Sequence, residues 1–344
     1  MFADLSTPVI VAIALAAGVA VVLSSIRATA LADIIADRTR MGEAVAGAII
    51  LGAATSLAGI VVSVTAASQG DASFAVSNAV GGIAAQTVFL AVADVYYRGP
   101  NLEHAAAEPA NLFQTVLLIG FLSLPIAAMS GPEVAILGVH PVSILMVVAY
   151  VSGVALTTAM RDQPMWRPVK TSATREDSPE DEEEAGKPWG RQALMFAGLV
   201  TIMGVSGWII SQAGSVFISR FGLSSSLVGA LGTAVVTSLP ELVTTLTAIR
   251  RGALQLAVGG IIGGNTFDTL FLVFSDVAYR DGSIYHAASQ TDLFWLATGL
   301  LMTVILLSGL ILRQREGPAR IGIESVLIML VYGVAVSVEV LFRG

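Results

Sequence analysis

Long apolar runs separated by short polar connections make up most of this chain. A bilayer crossing needs about 20 mostly apolar residues. Ten stretches qualify, at roughly 8–26, 43–67, 72–96, 112–130, 134–159, 193–213, 225–249, 254–279, 293–312 and 321–341. The one long polar stretch, 161–192, is rich in Pro, Glu, Asp, Arg and Lys and has few bulky apolar residues, the composition of a flexible linker. It predicts a first unit over 1–160, an acidic linker over 161–192 and a second unit over 193–344, with five spans in each unit. Five is an odd number, so the second unit enters the membrane from the opposite side.

The pattern also repeats. Residues 47–106 align with 229–288 without a gap, at a constant offset of 182, and roughly two in five positions are identical. Thr55–Leu57 matches Thr237–Leu239, Val80–Gly82 answers Ile262–Gly264, and Asp94–Arg98 answers Asp276–Arg280. Duplicated halves in a membrane point to a transporter with its site between the repeats. The predicted fold class is an all-α membrane protein: ten transmembrane helices arranged as two inverted five-helix repeats.

Composition agrees. The chain is 55% hydrophobic and 12% charged, whereas a soluble domain carries about 25% charged residues. The chain therefore reads as an integral membrane protein; its expected partners are the lipid bilayer and small inorganic cations, with no nucleic acid and no obligate protein partner. The absence of cysteine excludes thiol catalysis and thiolate metal sites. The N-terminal segment has no basic region, so 8–26 reads as a retained helix rather than a cleaved signal. Charge sets the orientation: with the N-terminus outside, 15 of the 18 Lys and Arg residues fall on inner connections, leaving Arg220, Arg280 and Arg343 outside. The expectation is N-out, C-out, with the linker cytoplasmic, in the plasma (inner) membrane of a prokaryote.

A few polar residues lie inside the spans. Pro240 sits mid-span and has no N–H, so a kink there frees a backbone carbonyl. Thr237 and Ser238 add hydroxyls, and Glu241 adds a carboxylate. The next span carries Gly259, Gly260, Gly263 and Gly264, then Asn265 and Asp268. Carbonyl, hydroxyl and carboxylate oxygens are what hard cations bind. An ionised acid at the bilayer centre costs about 2.5–3.5 kcal/mol. Glu241 and Asp268 have no Lys or Arg in any predicted span to offset that cost. A bound cation or a proton must neutralise them; the alternative is two protonated acids that only join helices.

These stretches resemble the alpha repeats of the calcium/cation antiporter superfamily, which includes the sodium/calcium exchangers. Its signature is a GTSxPE-like segment, then a GN-x-x-GSN-x-x-(N or D) segment, once per half. Thr237–Leu242 (TSLPEL) matches the first, and Gly259–Asp268 (GGIIGGNTFD) matches the second, with Gly260 and Gly264 in place of the family Asn and Ser. The resemblance implies ion-binding roles for Thr237, Ser238, Glu241 and Asp268 in the second half and for Thr55, Ser56 and Gln86 in the first. Glu241 and Asp268 would be the metal-binding carboxylates. Asn78, Asn265, Ser63 and Thr65 follow as second-rank candidates. It also implies a secondary cation antiporter working by alternating access, with Ca2+ and/or Na+ as cargo, no cofactor and no enzymatic activity. The second and seventh helices would be broken at the site.

The first copy departs from the second. Ala58 stands opposite Pro240, Gly59 opposite Glu241, Ile83 opposite Asn265 and Gln86 opposite Asp268. The site therefore holds at most two negative charges, both from one repeat. This favours Ca2+ exchanged for Na+ or H+ with little or no net charge movement. It leaves three competing readings: a monovalent cation/H+ antiporter, a Mg2+ transporter, or a non-transporting scaffold or sensor. An intramembrane enzyme would need a base beside Ser56 or Ser238, and no His lies at mid-depth.

Weaker signals have plain readings. Asp94–Arg98 and Asp276–Arg280 are expected to be i, i+4 ion pairs at helix ends. His104 and His286 lie in connections, where capping or solvent exposure is expected, and His140 lies near the start of span five with no partner identified from the sequence. The run Glu176–Glu184 lacks the spacing of a Ca2+ loop and reads as a solvated spacer. Glu43, Glu324 and Glu339 lie near span ends, and Trp166, Trp189, Trp208 and Trp295 suggest interface anchoring.

Overall fold

The structure is a computed structural model. It describes residue 2 and residues 4–39, 43–97, 99–162, 165, 167–172, 174, 189–317 and 321–343. The acidic run Glu176–Glu184, Arg98 and Trp166 lie outside the described residues.

The helices follow the apolar runs. In chain order they are α1 (Thr7–Thr39), α2 (Glu43–Ser68), α3 (Ala72–Tyr96), α4 (Leu102–Ala105), α5 (Pro109–Ser130), α6 (Pro141–Asp162), α7 (Trp189–Phe221), α8 (Ser225–Leu227), α9 (Ala234–Arg251), α10 (Leu254–Asp268), α11 (Leu270–Ala278), α12 (Ile284–Ala287), α13 (Gln290–Leu312) and α14 (Ile323–Val338). A π-helical segment, Val228–Thr233, joins α8 to α9, and another, Glu339–Arg343, follows α14. Among the described residues nine helices are long and apolar enough to cross a membrane, and α2 supplies a tenth crossing. This is the all-α plan of two five-helix halves, and their odd number makes the halves inverted.

Local chemistry sets the ends. Asp71 caps α3 by accepting from the Phe74 amide at 2.9 Å. Ser289 and Asp292 form a reciprocal capping box at the start of α13. Gly252 closes α9 with a left-handed φ of +81°, which only glycine adopts without strain. The fifth span begins later than its apolar run suggests. Residues 132–140 form a loop with a single bridge between Ile136 and Val139, because Leu137 and Gly138 take positive φ (55° and 82°) and Pro141 starts the helix.

Burial separates the helices into two roles. α3 is buried along most of its length and the α10–α11 pair nearly as much, while α1, α7 and α14 turn apolar side chains outward. Small residues let the central helices approach. A Cβ placed on Gly81 of α3 would fall within the backbone of Ala230, and one on Gly207 of α7 would meet the Ala58 carbonyl.

The repeat persists in the hydrogen bonds. Asp94 accepts from the amides of Leu102 and Gly322, each at 2.8 Å. Asp276, its counterpart, accepts from the amides of His140 at 2.7 Å and Ile284 at 3.4 Å. Each partner is displaced from its twin by the same 182 positions. These acids therefore cap connections, because buried backbone amides need an acceptor; no Asp276–Arg280 ion pair is present among the described residues, and the expected Asp94–Arg98 pair lies outside them.

One further expectation fails, that of Trp295 at the interface, since a buried polar group seeks a partner. Trp295 is fully buried and donates its indole N–H to Glu339 at 3.2 Å. Glu324 and Glu339 lie at the two ends of α14, as expected, and both are buried. His104 and His286 meet the capping expectation: their rings contact the C-cap carbonyls of α13 (Arg313) and α5 (Gly131).

Candidate cation-binding site

The polar cluster at the centre is assembled by α2, α3, α9 and α10. Asp268 is the last residue of α10, and the helix breaks at Thr269 before α11 resumes. Its carboxylate accepts from the Ser56 hydroxyl of α2 at 2.5 Å and from the Gln86 amide of α3 at 2.6 Å. The same Gln86 nitrogen reaches the Ser238 hydroxyl of α9 at 3.3 Å. Gln86 and Asp268 are repeat counterparts, as are Ser56 and Ser238. The contacts therefore cross symmetrically, and the pseudo-two-fold axis runs between Gln86 and Asp268.

Glu241 stands beside this pair. It lies three residues beyond Ser238 on α9, and the Thr55 hydroxyl of α2 hydrogen-bonds its carboxylate. Its Oε2 is buried without a donor, and so is Oε1 of Gln86. Buried acceptors without donors are costly, and a cation satisfies such oxygens as a hydrogen-bond donor would. Among the described residues no group of three or more Asp, Glu, His or Cys is placed to hold a metal. Any ion held here uses two carboxylates, hydroxyls and an amide oxygen.

The remaining candidates take other places. Thr237 turns its hydroxyl back onto the carbonyls of Thr233 and Ala234, at 3.0 and 3.3 Å. Asn78 ties three elements together: it accepts from Thr233 at 2.6 Å and donates to the Gly59 carbonyl at 3.1 Å and to Ser63 at 2.9 Å. Ser63 in turn donates to the Ala75 carbonyl at 3.1 Å. Asn265 donates to Thr87 at 3.1 Å. Thr65 lies ten residues beyond Thr55 on α2, about 15 Å along the helix axis.

Two participants carried no sequence signal as site residues. Thr233, the partner of Asn78, sits one helical turn before Thr237, and that spacing was its only clue. Phe271 fills the place of the missing acid. A Cβ added to Gly59 would lie 2.6 Å from its ring.

The expected break at Pro240 also moves. α9 runs through Pro240 without interruption, and the irregular turn is the π segment Val228–Thr233 before it. α2, with Ala58 in place of proline, is continuous through Ser56. Backbone irregularity thus flanks the site in the second half only.

Comparison with known proteins places the chain. It is 26% identical over 276 residues to the putative antiporter CaxA of Alkalimonas amylolytica, covering 80% of this chain and 82% of that protein. It is 29% identical over 150 residues to the inner membrane protein YrbG of Escherichia coli, covering 43% and 44%. The fold matches the crystal structure of the H+/Ca2+ exchanger CAX with a TM-score of 0.69 at 13% identity, covering 97% of this chain and 82% of that one. It matches the sodium-calcium exchanger NCX_Mj with a TM-score of 0.60 at 15% identity, covering 95% and 97%. The family model for the sodium/calcium exchanger protein matches residues 9–167 and 192–341. Because that match takes in nearly all of both halves, the chain belongs to the sodium/calcium exchanger protein family of membrane transporters.

Proposed function

We propose that this protein exchanges Ca2+ for Na+ or H+ by alternating access, with the cation held between the two halves by Glu241 and Asp268. Ser56, Thr55, Ser238 and Gln86 complete the site, Thr237 supports it through its own helix, and Asn78, Asn265 and Ser63 fix the surrounding helices. The observation that carries this reading is the pair of buried, donor-free oxygens, Glu241 Oε2 and Gln86 Oε1, beside a second carboxylate. Two carboxylates balance one Ca2+. Protons compete for the same oxygens, because metal binding requires deprotonated ligands.

Gly59 favours a second reading. With no acid in the first half, a monovalent cation is balanced by one carboxylate while the other holds a proton. In either case the halves 1–160 and 193–344, joined by a cytoplasmic linker, sit N-out and C-out in a prokaryotic plasma membrane. Uptake of radiolabelled Ca2+ into proteoliposomes under imposed Na+ and pH gradients tests the scheme. Glu241→Gln and Asp268→Asn should each reduce uptake to the protein-free background; wild-type flux in both refutes the site. Flux of Na+ but not Ca2+ selects the second reading.

A further inference from the structure

A second acid cluster lies outside the candidate cation site, where the α3–α4 connection meets the start of α14. Asp94 holds the two together through the Leu102 and Gly322 amides. On the opposite membrane face the equivalent cluster has a complete hydrogen-bond chain. There Ser143 donates to Asp276 at 2.7 Å and contacts the Tyr285 hydroxyl at 2.8 Å.

The repeat offset places Glu103 at the position of Tyr285, Ser325 at that of Ser143 and Glu324 at that of Val142. Here the chain is not closed. Glu103 is only 1% exposed, and neither of its carboxylate oxygens has a donor. Glu324 Oε1 and the Ser325 hydroxyl are also buried without partners. The Glu103 and Glu324 carboxyls lie in hydrogen-bonding contact with each other. Glu324 is pressed over Gly309 of α13, where an added Cβ would meet its side chain.

Among the described residues the surrounding charges do not supply the missing donor; Arg98 and Arg320 lie outside them. α3 offers Asp94, an acid. α4 adds His104, whose two ring nitrogens face the Arg313 carbonyl and Thr171. At the end of α13, Arg313 donates to the carbonyls of Val169 and His104 and to Thr174. Arg315 and Glu316 are exposed, and Glu108 lies half-buried at the start of α5. The only ionisable side chain on α10 is Asp268, in the transport site. Two carboxyls in contact without a donor share a proton, as acid dyads do. Burial pushes the Glu103 carboxyl well above the usual carboxylate range, and the charges of Asp94 and Glu324 push it further.

We propose that Glu103 and Glu324 form a proton-binding site, separate from the transport site, that fastens the α3–α4 connection to α14 while the proton is shared. Loss of the proton leaves two adjacent buried anions and opens the latch. α3 carries both Asp94 and, eight residues earlier, Gln86, so the latch secures a helix of the transport site. The sign follows from proton binding: the closed form holds the extra proton, so it is favoured at low pH and lost as pH rises through the elevated Glu103 value.

Thermal unfolding of the purified protein in detergent, from acidic to alkaline pH, tests this. The wild type should lose midpoint temperature as pH rises. Glu103→Gln and Glu324→Gln each provide a donor at every pH and should flatten that loss. Infrared spectra in a Glu241→Gln, Asp268→Asn background give a second readout, independent of transport. A protonated-carboxyl band should fade with alkalinisation and be missing from the further Glu103→Gln variant. An unchanged pH profile in both single variants, or an unchanged band in the Glu103→Gln variant, overturns the proposal.

Discussion

Position 59 limits the charge of the proposed site. Its repeat counterpart is Glu241, and the ring of Phe271 occupies the space a side chain at 59 would need. Gly59→Ala should overpack this contact and destabilise the protein by about 1–3 kcal/mol, read as a lower melting temperature. Gly59→Glu combined with Phe271→Ala removes the obstruction and adds a third carboxylate. We expect the double variant to reach half-maximal Ca2+ uptake at about tenfold lower Ca2+, equivalent to ~1.4 kcal/mol. Unchanged or weaker Ca2+ dependence would refute the idea that position 59 sets ion preference. Much at this scale was legible in the sequence. Mid-span acids without basic partners stand out in a chain where charge is costly, and aligning the copies exposed Gly59 and Gln86. Phe271 was not legible, since an aromatic residue in an apolar helix has no distinguishing signature. The direct bond between Gln86 and Asp268 was hidden too, because symmetry axes are invisible in one dimension. So was the inward turn of Thr237, which is a choice of rotamer.

At the scale of elements, close crossings of central helices depend on glycine. Gly81 meets the backbone of Ala230, in the π segment that precedes α9. Backbone cannot move aside as a side-chain tip can, so Gly81→Ala should lower stability by about 1–3 kcal/mol. Gly120 of α5 has open space around it, and Gly120→Ala should be neutral or slightly stabilising, given the better helix propensity of alanine. Equal melting temperatures for the two variants would contradict this account of the crossing. Helix number and order followed directly from the apolar runs, because backbone groups in lipid must be satisfied within each span. Helix boundaries followed less well. The apolar residues of 134–139 joined a loop once Leu137 and Gly138 took positive φ. Pro240 did not break α9, and the irregularity arose instead at Val228–Thr233 and Thr269, neither of which contains proline.

For the whole molecule, inversion has a consequence for charge. Two halves of equivalent fold present opposite ends to the same side of the membrane, so symmetry alone leaves the orientation undecided. The proposed N-out orientation rests on the basic residues, 15 of 18 of which fall on the connections that N-out insertion places inside. The chain has no cysteine, so any introduced thiol is the only one and reports its own side without background. Gln69 is exposed in the α2–α3 connection, and Ser178 belongs to the acidic linker. A membrane-impermeant maleimide should label Gln69→Cys in intact spheroplasts but not Ser178→Cys. In inside-out vesicles the pattern should reverse. Labelling of Ser178→Cys from outside would invert the whole arrangement and place the Glu103–Glu324 latch on the outer face, where it would sense external pH.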